Sequence, residues 1–295
     1  MRRDVIFKGC GTALVTPFKA DGSVDYAALS ALVRRQKEGG VDFLVPLATT
    51  GETPTLSADE KKEVFRVVKE NAGALPIVVG AGSNSVPATL GNIRLLEPLG
   101  PDALLIVVPF YNKPTQEGQY LYFKAVASQT ELPVIIYNVP GRTGANMLPD
   151  TVIRLAEDVP NIVGIKEASG NFEQVCEIIR RAPEGFSVLS GDDDMTFRLM
   201  VEGACGVISV ASNVVPSAMA AMTSALLSGK LEEAGLIDER LSPLFKACFV
   251  ESNPIPVKAA LCHLGLMEAT VRLPLSEATD RTKSLMKDIL GNINK

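Results

Sequence analysis

Short runs of apolar, β-branched residues recur along the chain at 11–16, 43–48, 76–81, 103–109, 133–139, 162–166, 186–190 and 206–211, and each predicts a buried strand. Between them, apolar positions return every three or four residues. Segments 25–38, 57–72, 85–97, 115–128, 149–157, 171–181, 194–202 and 216–227 therefore predict helices. The clearest is 57–72, where Ser57 and Glu60 form a capping box and Val64, Val67 and Val68 make an apolar stripe. Eight strands, each followed by a helix, predict a parallel sheet closed into a (β/α)8 TIM barrel, with an open doubly wound sheet as the alternative. After residue 229 the strand pattern stops. Segments 230–248, 254–264 and 275–290 predict helices, so residues 1–229 read as a catalytic barrel and 230–295 as a C-terminal helical extension packed on it.

Composition narrows what such a barrel could do. The formal net charge is −5 with no basic run, which gives nucleic-acid binding little electrostatic support. No apolar stretch approaches the ~20 residues needed to span a bilayer, and Met1-Arg2-Arg3-Asp4 leads into no signal-peptide core. Cys10, Cys176, Cys205, Cys248 and Cys262 form no spaced framework and read as small buried apolar residues in a reducing cytoplasm. There is one histidine, His263, so a multi-histidine metal site is excluded and acid–base chemistry must use Lys, Tyr, Thr, Asp or Glu.

In a parallel barrel, catalytic groups gather where strands end at the C-terminal face. In "IVGIK" (162–166), strict alternation puts Ile162, Gly164 and Lys166 on one face and Val163 and Ile165 on the other, with Gly164 leaving space below the lysine. By position alone, Lys166 is either a strand-end lysine snorkelling to solvent or an amine whose pKa falls by desolvation, able to attack a carbonyl. Thr49-Thr50-Gly51-Glu52 ends strand two, Tyr111 follows strand four, and Tyr137 ends strand five with Arg142 in the loop beyond. Each has an ordinary reading as turn, cap or rim residue. Gathered at strand C-termini, they are hard to explain as packing. A Schiff-base aldolase needs such a set: an amine, a phenol to move protons, hydroxyls and backbone N–H groups for a carboxylate, and a guanidinium for a second one.

Three other features read as structural. "GAGSNS" (80–85) imitates a dinucleotide loop but lacks the third glycine. The acids of "SGDDDM" (190–195) cannot all face one ion, and Asp193 and Asp194 fit the start of a helix. His263 lies among leucines as a packed or rim residue.

The motifs "TALVTPF", "TTGE", "PFYNKPTQEG", "YNVPGRTG", "GIKEASGN", "SGDD", "GVISVASNV" and "NPIPVK", in this order and nearly end to end, resemble the dihydrodipicolinate synthase (4-hydroxy-tetrahydrodipicolinate synthase) family. These enzymes are class I pyruvate-dependent aldolases, a superfamily that also holds N-acetylneuraminate lyase. The resemblance implies a lyase of diaminopimelate and lysine biosynthesis, in the cytoplasm, condensing pyruvate with L-aspartate 4-semialdehyde, usually as a homotetramer built from two dimers. It implies no metal or organic cofactor, only a covalent lysine–pyruvate imine. Lys166 is then the Schiff-base lysine and Tyr137 the proton donor and acceptor beside it. Thr49 links Tyr137 to Tyr111, which reaches into a neighbouring subunit's site. Thr50 and the Ile208 backbone contact pyruvate, Gly191 lies at the site wall, and Arg142 binds the carboxylate of the semialdehyde. Within that resemblance Arg142 sets the chain apart from sialic-acid lyases; the alternative within the superfamily is an N-acetylneuraminate lyase or a 2-keto-3-deoxy sugar acid aldolase. A non-catalytic oxo-acid sensor is the alternative outside it. Ala48 stands where glycine commonly precedes the threonine pair. Ala58, Lys61, Ala88 and Phe110, with only Asn84 retained, imply weak or absent inhibition by L-lysine.

Overall fold

In the computed structural model, which describes residues 7–293, eight parallel strands form the barrel: β1 Gly9–Ala13, β2 Phe43–Val45, β3 Val78–Gly80, β4 Ala103–Val107, β5 Val134–Asn138, β6 Ile162–Glu167, β7 Ser187–Ser190 and β8 Gly206–Ser209. They pair in the order β2-β1-β8-β7-β6-β5-β4-β3. The ring closes between β2 and β3, where Leu44 and Ile77 make a parallel bridge and the Leu44 and Gly80 N–H groups donate to Pro76 and Pro46 carbonyls. The outer helices are α1 Tyr26–Glu38, α2 Ala58–Ala72, α3 Val86–Leu96, α4 Gln116–Ala127, α5 Pro140–Thr143, α6 Pro149–Asp158, α7 Phe172–Arg181, α8 Asp193–Val201 and α9 Pro216–Leu227. Three more follow: α10 Leu231–Ala247, α11 Ile255–His263 and α12 Asp280–Ile293. The fold is a (β/α)8 TIM barrel followed by C-terminal helices. No helix among the described residues is long and apolar enough to cross a membrane. The segment Met1-Arg2-Arg3-Asp4 lies outside the described residues.

Strand faces sort the core into two layers. Ala13, Phe43, Val45, Val78, Leu105, Ile135, Leu189 and Ile208 fill the interior with Phe7. Leu44, Val79, Leu104, Ile106, Val134, Ile136 and Val207 face the helices. Both faces are buried, which explains why the strands read as continuous apolar runs. Phe7 and Phe43 meet edge to face at 5.4 Å inside the barrel. Gly11 lies against them, since a Cβ there would come within 2.2 Å of the Phe43 ring. Strand β1 begins at Gly9, two residues before the expected run, where a Cβ would collide with the Asp42 carboxylate.

Several expectations need correction. Strict alternation fails in β6, where the register with β5 slips between Val134 and Ile135. Ile162 and Ile165 face the helices while Val163 joins the interior layer. Gly164 does not leave space under the lysine: a Cβ there would sit 2.6 Å from the Ser187 carbonyl oxygen, so the glycine lets β7 approach. Strand β2 stops at Val45 because Pro46 follows and Leu47 turns into the left-handed region at φ 57°. The four-residue α5, opened by Pro140, carries no periodic signal at that length. Helix α12 starts at Asp280, later than the expected 275, where the Thr279 hydroxyl accepts from the Thr282 N–H. Cys262 is exposed and Cys205 half-buried, so only three of the five cysteines are buried.

Candidate active site

The site is built at the C-terminal ends of the strands. Tyr137 of β5 and Lys166 of β6 are register partners, both pointing inward at the mouth. Lys166 is 4% exposed, and its Nζ lies 4.5 Å from the centroid of the Tyr137 ring. The lysine is therefore not snorkelling. Gly191, just after β7, backs it closely: a Cβ there would meet Lys166 Cε at 3.0 Å and Ala168 Cβ at 2.7 Å. Ile208 of β8 closes the interior layer beneath.

Immediately behind these residues a buried polar network grips the next residue of each strand. Asn138 Nδ2 donates to Glu167 Oε2 (3.0 Å) and to Asn146 Oδ1 (2.9 Å). The Ser169 N–H donates to Glu167 Oε1 at 2.7 Å, and Gln174 Nε2 reaches the same carboxylate. Burial pushes the Glu167 carboxyl up, against the lowering effect of these donors. Asn138 and Glu167 are themselves register partners, so the network fixes the level at which Tyr137 and Lys166 face each other.

On the opposite wall, β2 runs into a short 3₁₀ turn, Thr49–Gly51. Thr50 is buried and Thr49 half-buried. Asn253 Nδ2 donates to Thr50 Oγ1 at 3.0 Å, and Arg142 donates to the Asn253 carbonyl at 3.3 Å. One residue thus links the threonine turn to the arginine of α5. Glu52 and Tyr111 both adopt positive φ, 51° and 74°, conformations that L-residues hold only under tertiary constraint and that cluster at functional sites. Tyr111 is 88% exposed. Among the described residues, the Tyr137, Thr49 and Tyr111 hydroxyls form no hydrogen bond with one another, so this single chain does not assemble the expected relay.

The other candidates have structural roles. A Cβ on Gly82 would lie 2.4 Å from the Val107 nitrogen, so that glycine permits strand packing; the Ser83 carbonyl of the same loop accepts from Tyr122. Asp192 caps α8 by accepting from the Asp194 N–H. Asp193 does more than start that helix: buried, it accepts from Val210 N and Ala211 N and ties down the loop after β8. Burial pushes its carboxyl up. His263 is exposed in the last turn of α11. Among the described residues, no group of three or more His, Cys, Asp or Glu side chains is gathered as for a metal ion.

Sequence reasoning missed Glu167, Asn138, Asn253 and Lys258. Their signal was adjacency: Asn138 and Glu167 directly follow Tyr137 and Lys166, and Asn253 and Lys258 lie in "NPIPVK".

Comparison with known proteins places the chain in a family. The Dihydrodipicolinate synthetase family model matches residues 6–293. The chain belongs to that family. It is 48% identical to the 4-hydroxy-tetrahydrodipicolinate synthase of Thermotoga neapolitana, over 97% of this chain and 98% of the other. To the enzyme of the same name from Chlorobaculum parvum it is 46% identical, over 96% of each chain. The crystal structure of dihydrodipicolinate synthase from Thermotoga maritima superposes with a TM-score of 0.96 at 45% identity, covering 98% of this chain and 99% of that one.

Proposed function

We propose that this family member is a 4-hydroxy-tetrahydrodipicolinate synthase, joining pyruvate to L-aspartate 4-semialdehyde through an imine on Lys166. The observation that carries the proposal is a buried amine 4.5 Å from a phenol ring, at one level of two paired strands. The Lys166 amine adds to C2 of pyruvate, and loss of water gives a protonated imine. A proton then leaves the methyl group and the imine nitrogen takes up the electron pair, giving an enamine. The enamine carbon attacks the aldehyde carbon, and the resulting alkoxide is protonated. The amino group of the second substrate finally attacks C2 and displaces the lysine amine. The protonated imine serves as the electron sink, so the scheme needs no metal or organic cofactor.

Tyr137 is the acid–base group in this reading. The Thr50 hydroxyl and the N–H groups of its turn hold the pyruvate carboxylate, with the Ile208 backbone and Gly191 lining the pocket. Thr49 passes protons between Tyr137 and Tyr111 of a neighbouring copy, which the exposure of Tyr111 favours, in a cytoplasmic homotetramer. Arg142 receives the carboxylate of the semialdehyde as a bidentate partner.

The test is turnover on an acceptor panel with pyruvate, together with cleavage of N-acetylneuraminate. Sites that pair a charged substrate group discriminate strongly, so kcat/KM for L-aspartate 4-semialdehyde should exceed the others by roughly a thousandfold or more. Comparable or faster cleavage of N-acetylneuraminate would overturn the assignment.

A further inference from the structure

The threonine turn is tied to the C-terminal helices by two independent links, and neither is local in sequence. The first is Asn253, 4% exposed, whose side chain bonds Thr50 across 203 residues of chain. The bond has a direction. Thr50 Oγ1 accepts from Asn253, which leaves its single O–H free to donate to a carboxylate.

The second link starts at Glu52, the residue after the turn, held at φ 51° with its side chain 1% exposed. Its Oε1 pairs with the Lys258 ammonium of α11, whose side chain is fully buried. Its Oε2 accepts the Arg272 backbone N–H at 2.9 Å. Lys258 also donates to the Thr270 carbonyl at 3.0 Å and lies 4.1 Å from the Phe18 ring centroid. Burial pulls this ammonium down to about 8, desolvation outweighing the pull of Glu52. A buried ion pair of this kind is a weak source of net stability, since apolar residues of similar volume often serve as well, and its best-attested use is to specify one arrangement. Here the arrangement it specifies is the strained exit of the turn that carries Thr49 and Thr50.

We propose that Lys258 is a positioning residue: by pairing with Glu52, and acting with Asn253, it sets the orientation in which the Thr50 hydroxyl meets the pyruvate carboxylate. The inference rests on the reading of Thr50 as a pyruvate-binding group. The C-terminal helices are on this view part of the pyruvate site, though no atom of Lys258 touches substrate.

The experiment measures the pyruvate concentration that half-saturates borohydride trapping on the full chain, a readout that needs no second substrate, alongside kcat and the KM for each substrate. Lys258→Met alone leaves a buried carboxylate unpaired and could unfold the protein. The decisive variant is therefore Glu52→Gln/Lys258→Met, which removes both charges. It should fold, yet require about tenfold more pyruvate, the scale of a lost hydrogen bond to a charged group, with the semialdehyde KM changed less than about twofold. Asn253→Ala should shift the pyruvate requirement in the same direction. A purely structural role would lower the active fraction, and so kcat, and leave the pyruvate KM alone; that result overturns the proposal. Should no Lys258 variant fold, Glu52→Gln, which removes the charge pair while keeping the side chain's shape, decides, and a normal pyruvate KM there is equally fatal. Thr50→Val separates the two levels. If it leaves pyruvate capture unchanged, the reading of Thr50 fails and takes the inference with it. If it weakens capture while the double variant is normal, the inference alone fails.

Discussion

At the β5–β6 side of the mouth, Tyr137 and Lys166 stand on two paired strands and are steadied by residues adjacent in sequence, Asn138 and Glu167. At the β2 side, Thr49 and Thr50 stand on a turn with a strained exit, steadied by Asn253, Lys258 and Arg272 from beyond the barrel. Groups proposed to make and break bonds are thus placed on paired strands, and groups proposed to hold a carboxylate on a turn whose shape depends on residues from elsewhere in the chain. The difference is functional in kind. Both kinds of group must be held close to their productive geometry, the first here by strand pairing and the second by contacts from elsewhere in the chain. Damage on the first side should therefore appear in turnover, and damage on the second in pyruvate affinity or in stability.

The largest expected effect on this comparison comes from Tyr137→Phe. Removing one acid–base group should lower kcat by roughly two to four orders of magnitude while pyruvate KM and folding stay near normal. A large rise in pyruvate KM with kcat preserved would erase the distinction between the two sides.

A smaller effect sharpens the second side. Arg272 donates through both Nη atoms to the Glu60 carboxylate and through Nε to the Gly22 carbonyl. Its guanidinium holds the Glu60 carboxyl down at about 2. Between the ordinary carboxylate pKa of about 4.5 and about 2, the folded chain binds fewer protons at this site than the unfolded chain, so stability rises with pH across that window. The contribution is complete above about 4.5 and is lost as pH falls towards 2. Glu60→Gln keeps the capping box with Ser57 but removes the charge. Denaturant midpoints of the two proteins should differ at neutral pH and converge on acidification; a constant gap would show that the ion pair is not what Glu60 contributes.

How far the sequence spoke for itself follows the same division. All eight strands were legible because a parallel barrel buries both faces of each strand, and the resulting apolar runs are local signals. Lys166, Tyr137, Thr49, Thr50, Tyr111 and Arg142 stood out as candidates because each lies at or just past the end of such a run; the structure pairs Lys166 with Tyr137 and links Thr50 to Arg142 through Asn253. The bulge in β6 was not, since one extra residue, Val163, leaves composition unchanged while moving side chains between faces. Lys258 was hidden for another reason. A lysine at a helix position reads as a solvated residue, and only the three-dimensional approach of Glu52 from the far end of the chain accounts for burying it. Periodicity reports what an element faces, not which distant partner meets it there.

The central claim is that Lys166 captures pyruvate covalently, and it can be tested directly by treating the protein with pyruvate and borohydride and mapping the adduct by peptide mass spectrometry. A reduced pyruvate adduct on Lys166, lost in Lys166→Ala, is the predicted result. An adduct on another lysine, or catalysis that survives Lys166→Ala, would contradict it.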